Sequence, residues 1–355
     1  MSFEDGWAAV HLEMPRRIPH TEYSIERHWD LIKVVTGIDV GVTSPPEAKT
    51  AASIAFQQTW DFDFFWNTLI GGEELEPWRT DMGHAEYDAG GVDRRDTIHS
   101  PFTDVEEVLA FDPWEKLGPR DHAGLVQRFE ENYVARCAQR PFGVNMTGIY
   151  ISQVSGLIEF FGWELLLLAA GTDPRRFGLL TDRYASWIQQ YFNALADARV
   201  PVVMVHDDMV WTSGPIMRPN WYREHIFPNL KKLIAPLVES GKRVMFTSDG
   251  DYSKFIDDLA TCGVHGFVLE PSTNMEYMVE RYGQTHVIIG NADTRILTFG
   301  TKDDVRKEVA RCMDLGRNCP GYFFAVGNHI PPNVPLENAL ECFQAYWDLR
   351  DRKRG

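Results

Sequence analysis

Short apolar runs alternate with amphipathic helical stretches from about residue 142 to the end of the chain. The runs are continuous in apolar residues rather than alternating with polar ones, which is the pattern of parallel strands that helices cover on both faces. Strands and helices that alternate at this spacing predict βαβ units. The runs occupy residues 141–148, 200–208, 243–250, 266–271, 286–293 and 321–328.

An earlier run, Trp60–Trp66, brings the predicted strands to seven, and eight strands would close a (β/α)8 barrel. We therefore predict an α/β fold, a (β/α)8 TIM barrel, with an open doubly wound sheet as the alternative. No linker or repeat divides the chain, so we expect a single domain over residues 1–355, in which about residues 1–60 form a helical segment that leads into the barrel. Helices are predicted over Ile25–Thr36, Pro46–Thr59, Phe102–Ala110, His122–Gln139, Pro219–Glu239, Ser253–Thr261, Asn274–Arg281, Lys302–Leu315 and Pro335–Arg350, and turns over Gly71–Gly91.

The charge balance excludes several classes of partner. Lys and Arg number 35 against 51 Asp and Glu, a net charge of −16, and a field of this sign repels nucleic acids and anionic membranes. The five cysteines form no CxxC pair, which favours free thiols in a reducing compartment. The first 17 residues contain no secretory apolar region, and the strongly apolar stretch Leu165–Gly171 is too short to span a membrane. We therefore expect a cytoplasmic protein that binds neither nucleic acid nor membrane.

Polar residues follow five consecutive predicted strands at the point where each strand ends. Because all strands of a parallel barrel end on one face, and that face carries the active site, these side chains are expected to converge. The set contains carboxylates, an amide and imidazoles, and it comprises His206-Asp207-Asp208, Asp249-Gly250-Asp251, Glu270-Pro271, Asn291-Ala292-Asp293 and Asn328-His329.

A structural role competes with a functional one for some of these residues. Asp251 and Asp293 could equally cap the helices that follow them. Asp207 and Asp208 are adjacent, so only one of them can point inward from a strand. His206 could be a satisfied core histidine.

Three other residues carry stronger indications of a site. Pro271 enforces an extended exit that leaves Glu270 at the rim, and His329 lies in a loop constrained by glycine and proline. Asp63 lies within the aromatic run Trp60–Trp66, which favours a core strand over a ligand-stacking surface, and a buried carboxylate is costly there unless it is paired.

At these residues the chain resembles the uroporphyrinogen decarboxylase superfamily, which includes the tetrapyrrole decarboxylase and methyltransferases that act with corrinoid proteins. The resemblance covers roughly residues 143–347, with a looser match at Arg17-Ile18-Pro19-His20-Thr21-Glu22. It implies a (β/α)8 barrel with a funnel at the C-terminal face. The segments that carry it are His206-Asp207-Asp208, Ser213-Gly214-Pro215, Arg218-Pro219, Ser248-Asp249-Gly250-Asp251, Gly290-Asn291-Ala292-Asp293-Thr294, Phe299-Gly300-Thr301, Gly327-Asn328-His329-Ile330-Pro331 and Val334-Pro335-Leu336-Glu337-Asn338.

The resemblance implies two chemistries. The coenzyme M-type methyltransferases carry thiolate zinc ligands, which this chain lacks, since Asp249 follows the relevant strand and Asn328 stands where the second cysteine would be. Carboxylates and an imidazole could still hold zinc or a harder divalent ion, with Asp208, Asp249, Glu270 and His329 as the expected ligands. The decarboxylase binds its acidic substrate through N-terminal arginines, matched here by Arg16 and Arg17, and uses an aspartate and a C-terminal histidine, matched by Asp63 and His329, while Tyr150 lies only near the family's tyrosine.

The leading hypothesis is a methyltransferase that moves a methyl group between a small donor and a corrinoid on a partner protein. An acidic mouth favours this hypothesis because it suits a neutral or cationic molecule better than a polyanion. Tetrapyrrole decarboxylation and a noncatalytic binding barrel are the alternatives. No covalently bound cofactor is expected, and a homodimer is plausible from the resemblance. The expected catalytic residues are Asp249, Glu270, His329 and Asp63, and the expected substrate-binding residues are Arg17, His206, Asp208, Asn291 and Asn328.

Overall fold

The computed structural model describes residues 3–25, 27–80 and 99–351 of this chain. Its strands are β1 Phe64–Phe65, β2 Val144–Asn145, β3 Thr147–Ile149, β4 Val202–His206, β5 Val210–Trp211, β6 Gly214–Pro215, β7 Arg243–Thr247, β8 Gly266–Val268, β9 Val287–Ile289 and β10 Tyr322–Phe323. Its helices are α1 Phe3–Val10, α2 Trp29–Thr36, α3 Pro46–Thr59, α4 Val105–Ala110, α5 Pro113–Leu117, α6 His122–Gln139, α7 Val154–Thr172, α8 Pro174–Asp197, α9 Pro219–Trp221, α10 Phe227–Glu239, α11 Ile256–Thr261, α12 Met275–Tyr282, α13 Thr294–Phe299, α14 Lys302–Gly316 and α15 Leu336–Leu349.

The strands close into a parallel barrel, which confirms the predicted fold. Six of them form one sheet in the order β10-β9-β8-β7-β4-β3, and β1 pairs with β2, which continues into β3. The segment around His20 closes the ring, because His20 bridges to Phe62 on one side and to Phe324 on the other. The N–H of Phe324 donates to the carbonyl of Pro19 at 2.9 Å, and the N–H of Asp63 donates to that of His20 at 2.8 Å.

The N-terminal 60 residues therefore do more than lead into the barrel. Helices α1 to α3 match the expected helical segment, but the stretch between α1 and α2 also supplies the eighth strand position at His20. Helix α2 begins at Trp29 rather than Ile25, because His28 caps it by accepting from the N–H of Leu31. Helices α3 and α6 have the predicted bounds, and residues 81–91 of the predicted turn region lie outside the described residues.

The barrel interior is filled by apolar side chains from alternate strand positions. These residues form one buried cluster that also includes Ala9 and Val10 of α1. Leu12, just after α1, lies against Gly321 at the start of β10, so α1 covers the N-terminal end of the barrel. The inward-facing residues are Phe64, Val144, Met146, Val202, Met204, Met245, Val287, Ile289, Phe323 and Ala325.

Helix α7 is longer and more apolar than the stretch Leu165–Gly171 suggested. On length and composition it could cross a membrane, but 67% of its most apolar window is buried within the fold, as in the core helix of a soluble protein. It joins two helical segments across a kink at Gly162, where φ is 66°. Contacts with α4 and α8 account for its apolar surface.

Candidate active site at the barrel mouth

Four side chains, His206, Asp208, Asp249 and Glu270, form what we call the mouth cluster. His206 is the last residue of β4, and Asp208 lies two residues further along the same side of the chain. Asp249 and Glu270 each lie two residues beyond the end of β7 and β8. Since side chains two positions apart in an extended chain share a face, three neighbouring strands deliver their polar side chains to one place.

Hydrogen bonds link the members of the mouth cluster. The Nε2 atom of His206 lies 2.8 Å from Oδ1 of Asp208, and the same oxygen accepts the backbone N–H of Asp249 at 2.9 Å. The hydroxyl of Tyr150 donates to Oδ2 of Asp208 at 3.2 Å. The hydroxyl of Tyr23 lies 3.2 Å from Nδ1 of His206, so both ring nitrogens have partners.

Asn328 connects the two remaining carboxyls. Its side-chain amide donates to Oε1 of Glu270 and also bonds to Asp249. Glu270 additionally accepts the backbone N–H of Gly250 at 2.8 Å. The backbone of Asn328 is left-handed, with φ of 70°, a conformation that asparagine tolerates better than most residues.

Burial and like charges alter the proton affinities of this cluster. Asp249 is exposed at the surface of the mouth, but loss of hydration to the protein around it and the charges of Asp208 and Glu270 raise its pKa well above the usual value. Burial also raises the pKa of Glu270. Burial lowers the pKa of His206, but the negative charge and hydrogen bond of Asp208 raise it by more, so the pKa of His206 is raised overall. The mouth therefore holds carboxyls that keep a proton at higher pH than exposed ones do.

His329 lies beside this group rather than within it. Its ring meets that of Tyr23 edge to face at 5.8 Å. Burial lowers the pKa of His329 to about 4, and the charges of Arg27 and His206 add to the effect. The imidazole of His329 is therefore neutral near pH 7, and its catalytic role stays a prediction.

Several acidic residues predicted for the mouth serve the backbone instead. Asp251 accepts the N–H of Ser253 at 2.9 Å. Asp293 caps α13 and pairs with Arg295 at 2.7 Å. Asp207 is fully buried, accepts the N–H of Ser155 at 2.9 Å, and has its pKa raised to about 7, chiefly by burial.

Asn291 is directed away from the mouth cavity. Its amide donates to the carbonyls of Glu270 and Thr273, both at 3.3 Å, and its side-chain oxygen accepts from Arg311 of α14 at 3.1 Å. Asn291 thus joins the strand end to the outer helix layer, and among the described contacts it meets the mouth cluster only at the backbone of Glu270, not at the side chains.

Arg17 and Asp63 are paired with each other. The guanidinium donates to both carboxylate oxygens at 2.7 and 2.8 Å, the N–H of His20 donates to Asp63 at 2.9 Å, and Arg17 also reaches the hydroxyl of Tyr346 on α15 at 2.8 Å. Asp63 is fully buried. This pair ties the barrel wall to α15, outside the mouth cluster.

The cavity at the mouth is narrow. The centre of a water-sized group can occupy only about 20 Å³ of it, which is space for about one water molecule. Tyr23 and Trp66 line it together with Asp249, Glu270 and Asn328. Sequence reasoning missed Tyr23 and Trp66 as site residues. Trp66 directly follows β1, so the rule applied to the other strands would have found it, whereas Tyr23 follows the His20 segment, which has no apolar run to mark it as a strand.

Three members of the mouth cluster could bind a metal ion. His206, Asp208 and Asp249 each offer a ligand atom, and these atoms lie within 4.8 Å of one another. Two of these residues belong to the predicted ligand set, but His206 supplies the imidazole in place of His329, and Glu270 is not part of the triad. One imidazole and two carboxylates suit zinc or a harder divalent ion.

Comparison with known proteins gives a consistent result. The family model described as Uroporphyrinogen decarboxylase (URO-D) matches residues 161–348, slightly more than half of the chain. The chain is 30% identical over 175 residues to a uroporphyrinogen decarboxylase of Pseudoalteromonas translucida, covering 48% of each chain, and 26% identical over 203 residues to one of Geobacter sulfurreducens, covering 57% of each. The chain thus spans about half the length of the curated relatives it matches.

A likeness in fold extends over the whole chain. A methyltransferase from Methanosarcina mazei superposes with a TM-score of 0.65 and 16% identity, covering 98% of both chains. At this identity the match concerns the fold alone.

Proposed function

Since the chain belongs to the uroporphyrinogen decarboxylase family, we propose that it is an enzyme that moves a methyl group between a small methylated donor and a corrinoid carried by a partner protein. The family supports an enzyme of the decarboxylase or methyltransferase type. The mouth cluster is the observation that favours methyl transfer, because its acidic character opposes the approach of a polyanion.

The charge argument rests on three carboxyls in close contact. Besides the effect of burial, the charge of Asp208 raises the pKa of both Asp249 and Glu270, and the charge of Glu270 adds to the rise at Asp249. An anionic group brought among them would lose hydration and meet like charge, which costs several kcal/mol at an effective dielectric of about 20. A neutral ether or a cationic amine meets no such penalty.

The proposed role of the mouth cluster is to protonate the leaving group. A methyl ether or methylamine leaves poorly unless its heteroatom gains a proton or a Lewis acid as the carbon–heteroatom bond breaks. Asp249 or Glu270, whose pKa values are raised, donates that proton, and the electron pair of the broken bond stays on the heteroatom. The methyl group would pass to a reduced corrinoid on the partner protein, which would serve as the nucleophile.

The remaining residues orient these carboxyls. Asn328 holds Asp249 and Glu270 next to each other, while Tyr23 fixes the ring of His206 against Asp208. A divalent ion fits the donor set His206, Asp208 and Asp249, and when bound it would supply Lewis-acid assistance to the same heteroatom. Elemental analysis of the purified protein tests for that ion.

A spectroscopic assay tests the proposal. Purified protein is mixed with cob(I)alamin and with methyl ethers, methylamines or methyl thioethers in turn, and the conversion to methylcobalamin is followed by absorbance. We expect conversion with at least one donor class. No conversion with any of them, together with turnover of uroporphyrinogen, would reverse the assignment.

Tetrapyrrole decarboxylation is the second candidate, and the names of the curated relatives favour it. It requires no cofactor and releases carbon dioxide from uroporphyrinogen. Release of carbon dioxide from that substrate, in the absence of a corrinoid, is the measurement that would support it. Saturable binding of a ligand without turnover of any substrate would instead favour a noncatalytic binding barrel.

The cellular setting is part of the same proposal. All five cysteines are free thiols, and four of them are buried, which suits a reducing compartment such as the cytoplasm. A corrinoid protein is the proposed partner, and self-association as a homodimer is proposed beside it; light scattering of the purified chain tests the latter.

A further inference from the structure

A second and larger cavity lies beside the mouth. It has a volume of about 630 Å³, opens to solvent, and is lined by residues from the start of α2, from α3, from the region of β1 and from the C-terminal end of α6. We call it the flank cavity. None of the residues discussed above as catalytic lines it, so its chemistry is separate from that of the mouth cluster.

Four cationic side chains line the flank cavity: Arg27, Lys49, Arg136 and Arg140. They come from three separate parts of a chain whose net charge is −16. The carboxyl that lines it, Glu22, is already engaged by Nε2 of His20 at 2.8 Å and by the N–H of Val326 at 2.9 Å. Among the described residues, the lining of this cavity therefore carries more positive than negative charge, in contrast to the protein as a whole.

Neighbouring groups hold three of these cations in place. Arg140 donates through Nε to Gln57 at 2.8 Å, Arg136 donates to the carbonyl of Trp66 at 2.9 Å, and the ammonium of Lys49 lies 5.7 Å from the ring centre of Trp29. Such fixed cations bind an anion with less loss of side-chain freedom than mobile surface cations do.

The walls of the flank cavity are aromatic. Trp29, Phe62, Phe65 and Trp66 line it, and Nε1 of Trp66 is a buried donor for which the described residues supply no acceptor. Aromatic walls with fixed polar groups are typical of sites that bind an organic ligand with an apolar body.

The two cavities adjoin at shared side chains. Tyr23 and Trp66 line both of them, and the hydroxyl of Tyr23 contacts His206 of the mouth cluster. A single elongated ligand could therefore have one end in the cationic flank cavity and the other at the acidic mouth.

We propose that the flank cavity binds the carboxylate of an aromatic methyl ether acid, so that its methoxy end faces the mouth cluster. The proposal deepens the proposed methyl transfer, on which it rests, by naming the substrate class. It assigns Arg27, Lys49, Arg136 and Arg140 to recognition of the anionic end and the aromatic walls to the ring.

A matched pair of ligands tests the charge requirement. 4-Methoxybenzoate and 4-methoxybenzamide have almost the same shape but differ in the charge of one end, and calorimetric titration in the absence of any corrinoid measures the affinity of each. We expect the acid to bind at least tenfold more tightly than the amide. Equal affinities, or no binding of the acid, would overturn the proposal.

Paired substitutions locate the effect. The double variant Arg27→Gln with Lys49→Gln removes two cations from positions that are accessible to solvent. The control is Lys33→Gln on α2, because Lys33 pairs with Asp39 at the surface and does not line the cavity. We expect the double variant to lose at least tenfold in affinity for the acid and little for the amide, with no change in the control. Thermal unfolding of each variant confirms that it is folded. An unchanged affinity in the folded double variant would contradict the proposal.

The methyl-transfer assay separates this proposal from the one it rests on. Tight, charge-dependent binding of 4-methoxybenzoate without formation of methylcobalamin would support the flank cavity and contradict methyl transfer. Equal rates of methyl transfer from the acid and the amide would support methyl transfer and contradict the role of the flank cavity.

Discussion

Asn328 joins the two acidic side chains on which the proposed chemistry depends. Its amide contacts both Asp249 and Glu270. It therefore fixes the positions of the two carboxyls, one of which carries the proton. A side chain that acts as a proton donor, or as a metal ligand when an ion is bound, depends on its ionisable carboxyl, whereas an aspartate that only caps a turn does not.

Asp249→Asn is expected to lower kcat at least a hundredfold, the range typical for removal of an acid–base group. Asp251→Asn is the matched control, because Asp251 lies two residues away and accepts a turn hydrogen bond that an asparagine oxygen can also accept. Steady-state turnover of the donor found in the cobalamin assay measures both. Similar losses in the two variants would argue against Asp249 as the acid.

Asp63→Asn is expected to cost about 3–5 kcal/mol of folding stability, because it leaves the buried guanidinium of Arg17 without its carboxylate. Asp39→Asn, which breaks an exposed pair with Lys33, should leave the stability nearly unchanged because solvent screens that pair. Urea denaturation measures both. If Asp63→Asn were as stable as the parent but inactive, the catalytic role that the family resemblance implies for Asp63 would be restored.

Position in the sequence predicted the members of the mouth cluster but not the side-chain contacts of every residue near it. Asp208, Asp249 and Glu270 could be placed because they follow regular strands, so their direction continues the alternation of the strand. Asn291 also lies two residues beyond a strand end, yet Arg311 of α14 binds its side chain. The competing partner is 20 residues away, and spacing along the strand cannot reveal it.

At the level of elements, the seven longer strand segments were predictable and the eighth was not. The predicted strands have continuous apolar runs, whereas the His20 segment contributes single-residue bridges to Phe62 and Phe324 and follows a proline. It has no apolar run to detect. The strands on both sides fix its place in the ring. These are tertiary contacts, which the local sequence does not reveal.

Gly148→Ala tests the barrel wall at the pairing of β3 with β4. A Cβ atom there would come within 2.4 Å of the carbonyl oxygen of Met204, so the two strands must separate, at a cost of about 1–3 kcal/mol. Gly171→Ala on α7 is the control, because nothing lies within 4 Å of the added carbon, and alanine favours the helix. Guanidinium denaturation should show a lower midpoint for the first variant only.

At the scale of the whole molecule, the distribution of charge matters more than its sum. The carboxylates that follow the strand ends predicted an acidic mouth, and the mouth cluster is acidic. The net charge of −16 agrees with that sign. It could not predict the flank cavity, because its four cations come from residues 27, 49, 136 and 140 and meet only when α2, α3 and α6 pack around β1. Composition therefore describes the average field of this protein but not the field of its cavities.

Acid conditions should destabilise the whole fold through histidines that are buried in the neutral form. His265, before β8, accepts the N–H of Val244 at 3.1 Å, and burial, aided by Arg243 and His286, lowers its pKa from 6.5 to about 4. Between these two pKa values the unfolded chain binds a proton at His265 that the folded chain does not. The contribution of His265 to the free energy of unfolding is therefore complete above pH 6.5 and is lost as the pH falls towards 4.

Urea unfolding at pH 7 and pH 5 measures this contribution. Because His265 is partly solvent-accessible, we expect it to account for about 1 kcal/mol of the stability lost between the two values. His265→Asn keeps a hydrogen-bond acceptor but cannot titrate, so its stability should fall by that much less on acidification. An equal loss of stability in the variant and the parent would show that other groups cause the acid sensitivity. The pKa of His265 would then be the same in the folded barrel as in the unfolded chain.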